Sequence, residues 1–217
     1  MPELTDITSE EIDGKRYYRT PTGIKLPSVT TVLGYSNREV MNEWKERVGH
    51  EKADRISKRA SIRGTKFHNM MEKYLRNDST LFEEVMPDMK QAFRDMQKHV
   101  DRIDNIHYIE SPLYSLQLGL AGRTDVIGEF DGKLSIIDFK TSTKVKRKEW
   151  IENYFEQGTA YALMYEEIVG TPINQIVILI SVDGETEPQV FIEQPNRWID
   201  SLRSKIHKFN KDHNYVR

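Results

Sequence analysis

Cysteine is absent from this chain of 217 residues. Disulfide bonds, thiolate-bound zinc and iron–sulfur clusters are therefore excluded. Long apolar runs are missing too, since none approaches the ~20 residues that a membrane-spanning helix needs. The N-terminal segment is acidic, and it has neither the apolar region of a signal peptide nor the basic pattern of a transit peptide. We therefore expect a cytoplasmic protein that associates with no membrane.

The chain also lacks an excess of either charge. Lys and Arg number 32 and Asp and Glu 34, for a formal net charge of −2. A protein that coats nucleic acid with its whole surface would be strongly basic, so that class is disfavoured. A local basic channel around an acidic metal site is compatible with the balance. Apolar residues make up 37% of the chain, which suffices for one core.

The first half of the chain is predicted to be mostly helical. Two short strands surround the turn at residues 21–23, and Ser28 is placed to cap a short helix after them. From Arg38 to Ile103 the spacing of apolar residues is helical. Breaks are expected at small polar residues, glycine and proline, near Ser61–Gly64, Asn77–Thr80 and Pro87.

Beyond residue 104 the pattern becomes that of strands. Strand-like segments at 108–116, 122–130 and 133–140 precede a helix over 148–169. A buried strand at 176–182, a short strand at 189–192 and a last helix from residue 195 complete the order. This order predicts an α/β fold with a mixed central sheet flanked by helices. We expect one domain over residues 1–217, with an N-terminal hairpin and helical annex (1–104) and an α/β core (105–217).

Asp131-Gly132 is a strong signal for a tight hairpin turn. A hairpin symmetric about this turn places Asp125 directly opposite Asp138, provided that no bulge intervenes. Carboxylates so opposed lie roughly 5 Å apart at Cβ and repel each other. A hard cation such as Mg²⁺ or Mn²⁺ would compensate this repulsion. From the spacing alone, two solvent-exposed carboxylates with ordinary salt bridges to Arg123 and Lys140 are an equal alternative.

Asp125 with Asp138-Phe139-Lys140 resembles the signature of the PD-(D/E)XK nuclease superfamily. Further motifs occur in the order typical of its RecB-like branch, which includes the Cas4-type exonucleases: Gly64-x-x-x-His68, Glu110, Gly122-Arg123-Thr124-Asp125 and Gln157-x-x-x-Tyr161. Segments 26–33 and 132–142, with Trp44, are similar to exonucleases of the mitochondrial genome maintenance type. Because no presequence is recognised, we expect a phage or bacterial relative, in the host cytoplasm if phage-encoded.

The resemblance implies a restriction-endonuclease-like core that binds Mg²⁺ or Mn²⁺. The implied metal ligands are His68, Asp125, Asp138 and the backbone carbonyl of Phe139. Lys140 would steady the attacking water or the scissile phosphate, and Glu110 would orient a water or serve a second ion. Gln157 and Tyr161 would hold Lys140 or a phosphate in place. Contacts to DNA are expected from Ser28, Thr30, Arg123, Thr141, Ser142, Lys144 and Lys146.

Several of these residues have a structural alternative. His68 could be an ordinary helix-surface or core histidine, and Glu110 a plain strand-end charge. Tyr161 could pack in the core, and Ser28 could serve as a helix cap alone. Gly64, four residues before His68, would let its helix approach another backbone closely.

The resemblance further implies a metal-dependent exonuclease that prefers single-stranded DNA ends, leaves 5′-phosphates and serves DNA repair or recombination. Two other classes stay open. One is a sequence- or structure-specific endonuclease of the same superfamily, and the other is a non-catalytic nucleic-acid-binding module. RNA also stays open as a substrate, because no residue pattern here reads a 2′-hydroxyl.

Overall fold

A mixed sheet forms the centre of the computed structural model, which describes residues 4–83 and 85–213. Its strands are arranged in sequence order as β4 (Ile103–Ser115), β5 (Leu120–Phe130), β6 (Lys133–Ser142), β7 (Gln175–Val182) and β8 (Gln189–Glu193). β6 and β7 are parallel, whereas the other neighbouring strands are antiparallel. The predicted α/β class with a mixed sheet is therefore confirmed.

Helices cover both faces of this sheet. They are α1 (Val29–Ser36), α2 (Arg38–Val48), α3 (His50–Leu75), α4 (Pro87–Val100), α5 (Glu152–Val169) and α6 (Ile199–Asp212). On one face, Phe67 and Met71 of α3 and Met96 of α4 pack against the sheet. On the other face, α1, α5 and α6 enclose a second apolar cluster that includes Val32, Tyr165, Leu202 and Ile136. Among the described residues, no helix is long and apolar enough to span a membrane.

A second, three-stranded sheet precedes the helices and consists of β1 (Thr8–Ile12), β2 (Lys15–Arg19) and β3 (Lys25–Pro27). β2 and β3 lie on either side of the predicted turn. β1 was not predicted, although Asp13 and Gly14 form a turn with φ of 51° and 69°. As predicted, Ser28 caps α1, and its Oγ accepts a hydrogen bond from the Thr31 amide at 3.0 Å.

The helical region differs from the prediction in where it breaks. The expected break at Ser61–Gly64 is wrong, because α3 runs through these residues, and the chain turns instead at Gly49 with φ of 89°. A Cβ on Gly64 would have no neighbour within 4 Å, so this glycine serves no close approach to another backbone. The break at Asn77 and the start of α4 at Pro87 are confirmed.

The strands after the helices begin and pair largely as predicted. β4 begins at Ile103 rather than 108, because a register shift between Asp104 and Tyr108 interrupts its alternation of buried and exposed residues. The β5–β6 hairpin turns at Asp131-Gly132, both with positive φ, and pairs Phe130 with Lys133 and Val126 with Ile137. The symmetric register is thus confirmed up to the residue next to Asp125.

Candidate active site

Three side chains of types that can ligate a metal come from different elements and meet beside the central sheet. His68 from α3, Glu110 from β4 and Asp125 from β5 each offer an atom within 4.8 Å of the others. Glu110 lies inside β4 rather than at its start: its neighbours Ile109 and Ser111 pair with Val126 and Thr124, so it stands opposite Asp125. Its backbone is left-handed, with φ of 49°, which is costly for a side chain with a Cβ.

Asp125 connects this cluster to β6. Its Oδ2 accepts a hydrogen bond from the Phe139 amide at 2.8 Å and lies 3.3 Å from Nδ1 of His68. Burial alone would raise the pKa of Asp125, but the hydrogen bond and charge of His68 hold it below its ordinary value. For His68 the effects are reversed. Burial alone would lower the pKa of its imidazole, but the hydrogen bond and the negative charge of Asp125 outweigh burial and hold this pKa above its ordinary value. The two side chains therefore favour the charged form of each other.

Asp138 and Lys140 form a second, adjacent pair on β6. The Lys140 ammonium contacts Oδ2 of Asp138, and both side chains are largely buried. The pKa of Asp138 is raised, chiefly by burial and further by the negative charge of Asp125. The positive charge of Lys140 opposes this shift but does not cancel it. Burial would lower the pKa of Lys140, but the charges of Asp138 and Asp125 hold it above normal. Of the implied ligands, Asp138 is thus paired with Lys140 and stands outside the cluster of His68, Glu110 and Asp125.

Glu110 carries the clearest sign of crowded negative charge. Burial, together with the charge of Asp125, raises its pKa from 4.5 to about 7. Two carboxylates and one imidazole with such close donor atoms suit a hard divalent cation, because a cation would offset the repulsion. The residues present therefore fit a Mg²⁺ or Mn²⁺ ion.

A cleft of about 660 Å³ opens over this cluster. The strands β1 and β2 and the start of α1 form one wall, and α3 forms another. Its lining includes Arg16, Ser28, Thr30, Gly64, His68, Glu110, Gly122, Arg123, Asp125, Gln157 and Tyr161. Of the residues expected to contact DNA, it therefore brings together Ser28, Thr30 and Arg123. Within the described chain, the others lie outside this lining: Thr141, Ser142, Lys144 and Lys146.

Tyr161 of α5 reaches the cleft through a gap left by Gly122. A Cβ at residue 122 would lie 2.7 Å from Cε1 and 2.9 Å from the hydroxyl oxygen of Tyr161. The Tyr161 hydroxyl accepts a hydrogen bond from Nε2 of Gln157 at 3.3 Å, and burial raises its pKa. Gln157 and Tyr161 are thus four residues apart on α5 and joined by a side-chain hydrogen bond, as expected for i and i+4 positions of a helix.

Several of the residues expected to contact DNA also make contacts within the protein. Ser28 is buried as the α1 cap, with its hydroxyl 3.0 Å from that of Thr30. The guanidinium of Arg123 donates to the backbone oxygen of Glu110 and lies 3.8 Å from Asp6. Ser142 is buried and donates to the backbone oxygen of Lys144 at 2.6 Å, so it shapes the loop after β6.

One residue at the site, Tyr154, was missed from the sequence. The ring of Tyr154 on α5 has the Lys140 ammonium 5.2 Å from its centroid. Its spacing of three and seven residues before Gln157 and Tyr161 was a usable signal, since these positions share a helix face. Arg63 of α3 donates to the backbone oxygen of Ser142 at 3.3 Å and lies 2.5 Å from Asp183, so it ties α3 to the ends of β6 and β7.

Comparison with known proteins gives consistent matches. A profile of the PD-(D/E)XK nuclease superfamily matches residues 41–212. Mitochondrial genome maintenance exonuclease 1 of Homo sapiens is 28% identical over 130 residues, which cover 56% of this chain and 38% of that protein. The Mus musculus protein of the same name is 26% identical over 129 residues, again 56% of this chain and 38% of the relative. The match thus spans well under half the length of these relatives.

Proposed function

The chain belongs to the PD-(D/E)XK nuclease superfamily, and from this membership we propose that it is a metal-dependent exonuclease acting on single-stranded DNA ends and leaving 5′-phosphates. The observation that carries the proposal is the meeting of His68, Glu110 and Asp125 beside the buried pair of Asp138 and Lys140. The single-strand preference, the product chemistry and a role in DNA repair or recombination are drawn from the likeness to exonucleases.

His68, Asp125 and Asp138, with the Phe139 carbonyl, would hold the Mg²⁺ or Mn²⁺ ion, and Glu110 would complete its surroundings. When bound, such an ion lowers the pKa of a coordinated water and polarises a phosphate. Asp125 supports this assignment because His68 and the Phe139 amide together fix its orientation. A ligand that is already oriented loses little freedom on binding.

Lys140 is the residue proposed to act directly on the phosphate. Its ammonium is kept charged by Asp138 and Asp125 although it is buried. During hydrolysis a water oxygen bonds to phosphorus, the bond from phosphorus to the 3′-oxygen breaks, and the leaving oxygen takes a proton as a 3′-hydroxyl. The reacting phosphate gains negative charge, which a fixed ammonium in a site of low dielectric stabilises.

Gln157, Tyr161 and Arg123 are proposed to position the substrate. Tyr161 is a positioning residue, because its hydroxyl is buried beneath the cleft and held by Gln157. Arg123 lines the cleft and is anchored by the backbone oxygen of Glu110, so its guanidinium can pair with a phosphate next to the reaction centre. Ser28 and Thr30 lie on the opposite wall, as further phosphate contacts.

We place this activity in a single nuclease domain over residues 1–217. The support is that the segments before residue 104 contribute to both apolar clusters of the sheet. Val29 and Val32 of α1 lie in one cluster, and Phe67 and Met71 of α3 lie in the other. α2 and the first half of α3 are largely exposed, and this part alone matches the expected helical annex.

The test is digestion of end-labelled linear single-stranded DNA with Mg²⁺ or Mn²⁺, beside a closed single-stranded circle. The wild-type protein should degrade the linear strand alone, and Lys140→Ala should lower the rate by roughly 100- to 1000-fold. Lys133→Ala is the matched control, because Lys133 is an exposed lysine on the same strand. Cleavage of the circle would replace the exonuclease assignment by the endonuclease. If neither DNA is cleaved with either metal, the proposed activity is wrong and the alternative of a non-catalytic nucleic-acid-binding module is favoured.

A further inference from the structure

The loop after β6 exposes a tryptophan to solvent. Trp150 is 63% exposed, whereas Trp44 and Trp198 are half-buried. Tryptophan is highly buried on average in folded proteins, and the exposed ring of Trp150 is accessible to a ligand. Residues 144–148, which Glu149 separates from Trp150, read Lys-Val-Lys-Arg-Lys and carry four basic side chains. An exposed aromatic ring thus lies beside concentrated positive charge.

This loop is held in place by specific contacts. Gln189 of β8 accepts from the Lys146 amide at 2.7 Å and donates to the Lys146 backbone oxygen at 2.8 Å. The Lys148 ammonium pairs with the buried carboxylate of Glu193. On the far side of Trp150, Ile151 is buried in an apolar cluster. Trp150 is therefore presented on an ordered backbone, and a ligand that binds it pays little for ordering the loop.

The ring of Trp150 has a cationic neighbour suited to phosphate. The Arg147 guanidinium lies 5.3 Å from the ring centroid, and the Trp150 amide donates to the Arg147 backbone oxygen at 3.0 Å. A planar aromatic face stacks on a nucleobase of any identity, and a guanidinium pairs with phosphate oxygens. The guanidinium lies over one face of the ring, and the two groups together match the phosphate and the base of one nucleotide.

The position of this pair relates it to the reaction centre. The loop continues directly from β6, which carries Asp138 and Lys140. Trp150 lies four residues before Tyr154 in the chain, outside α5, which begins at Glu152. The ring of Tyr154 is 5.2 Å from the Lys140 ammonium. The cleft over His68 and Asp125 does not include either Trp150 or Arg147 among its described lining residues. The pair therefore follows the strand of Asp138 and Lys140 closely in the chain and forms a surface separate from the cleft.

We propose that Trp150 and Arg147 form a nucleotide-binding subsite for single-stranded DNA, with a base stacked on Trp150 and its phosphate paired with Arg147. The proposal rests on the proposed function, because it assumes that the substrate is a DNA strand. Stacking makes the subsite tolerant of base identity and selective for unpaired bases, since a base in a duplex has no free face. A second copy of the chain is the alternative occupant of the exposed ring, and the charge of residues 144–148 favours DNA.

The experiment measures binding in EDTA, so that no cleavage occurs. The probes are a fluorescein-labelled oligothymidylate of roughly 12 nucleotides and an abasic strand of equal length, which keeps the phosphates and lacks the bases. Trp150→Ala should weaken oligothymidylate binding by roughly 5- to 100-fold and leave abasic-strand binding unchanged. Trp150→Phe should retain most of the affinity. Arg147→Ala should weaken the binding of both strands.

Phe82→Ala is the matched control, because Phe82 is an exposed aromatic residue with the Lys90 ammonium 5.9 Å from its ring. It should bind both strands as the wild type does. If Trp150→Ala binds oligothymidylate like the wild type while the wild type degrades DNA, the subsite is wrong and the nuclease stands. Wild-type protein that neither binds nor degrades DNA would overturn the proposed function itself. A change of molar mass on Trp150→Ala without a change in DNA binding would identify a protein interface and overturn the subsite.

Discussion

Gly122 and Tyr161 are in such close contact that a methyl group on the glycine would lie 2.7 Å from Cε1 of the tyrosine. The glycine belongs to the strand that carries Asp125, and the tyrosine belongs to the helix that covers it. The missing side chain therefore determines how near the Tyr161 hydroxyl lies to the cleft.

Gly122→Ala is expected to lower both stability and activity. The Tyr161 ring is buried and cannot yield freely, so the added methyl should cost about 1–3 kcal/mol in the free energy of unfolding. The displaced hydroxyl should reduce kcat/KM further than the loss of folded protein explains. Urea unfolding and initial cleavage rates measure the two effects. Unchanged stability together with unchanged kcat/KM would show that Tyr161 has room to move.

Gly64→Ala is expected to change stability in the opposite direction. A Cβ at this helical position meets nothing within 4 Å, so only helix propensity changes. The gain should be up to about 1 kcal/mol. Urea unfolding of this variant and of Gly122→Ala compares a glycine that is required by close packing with one that has room for a side chain. A loss of stability here would mean that Gly64 has a packing role after all.

Metal binding should strengthen as the pH rises, because protons compete for the ligands. The pKa of Glu110 is raised to about 7, and that of His68 is raised above normal. In the metal-free protein, the raised pKa of Glu110 stabilises the fold below its unfolded value of 4.5. This contribution is lost as the pH rises towards 7. Calorimetry should find Mn²⁺ binding roughly tenfold weaker near pH 6 than near pH 8, with proton release.

Glu110→Gln is the control for this pH dependence. It removes the titrating carboxyl and should leave only the pH dependence that comes from His68. The metal-free variant should also lose less stability than the wild type between about pH 5 and pH 8. An unaltered pH dependence of Mn²⁺ binding in Glu110→Gln would mean that this carboxylate does not face the ion.

Lys205→Met should destabilise the fold without altering the site. The Glu156 carboxylate is completely buried and is paired with Lys205 at 2.5 Å and with the Ser201 hydroxyl. Without its partner, this buried charge should cost about 3 kcal/mol in the free energy of unfolding. Adding Glu156→Gln should restore part of the loss. The exposed pair of Lys98 and Glu187 is the comparison, since Lys98→Met should change stability by no more than about 1 kcal/mol.

The parts of the fold that were predicted from the sequence depend on local signals. Asp131-Gly132 between alternating strands predicted the β5–β6 hairpin and its register, because such a turn accommodates positive φ at both residues. The uninterrupted apolar run of β7 predicted a strand buried on both faces. β1 escaped notice although Asp13-Gly14 carries the same turn signal, since its residues are largely exposed and show no apolar alternation.

The sequence predicted which residues belong to the candidate site, but it did not predict which of them lie together in space. The ordered motifs identified His68, Glu110, Asp125, Asp138 and Lys140, and the hairpin register placed Asp125 beside Asp138. The structure adds Glu110 as the carboxylate across from Asp125 on the other side of β5. It also pairs Asp138 with Lys140. The register between β4 and β5 could not be predicted, because a shift near Asn105 interrupts the strand pattern.

Local signals in the sequence were enough to predict the family, the hairpin and the candidate donor side chains, because turn chemistry and strand alternation act between near neighbours in the chain. Which of these donors lie together in space follows from tertiary packing. His68 reaches Asp125 because the apolar stripe of α3 packs on the sheet, and Tyr161 reaches the cleft because Gly122 leaves space. Such contacts join segments far apart in sequence, and their distances follow from packing that no local pattern encodes.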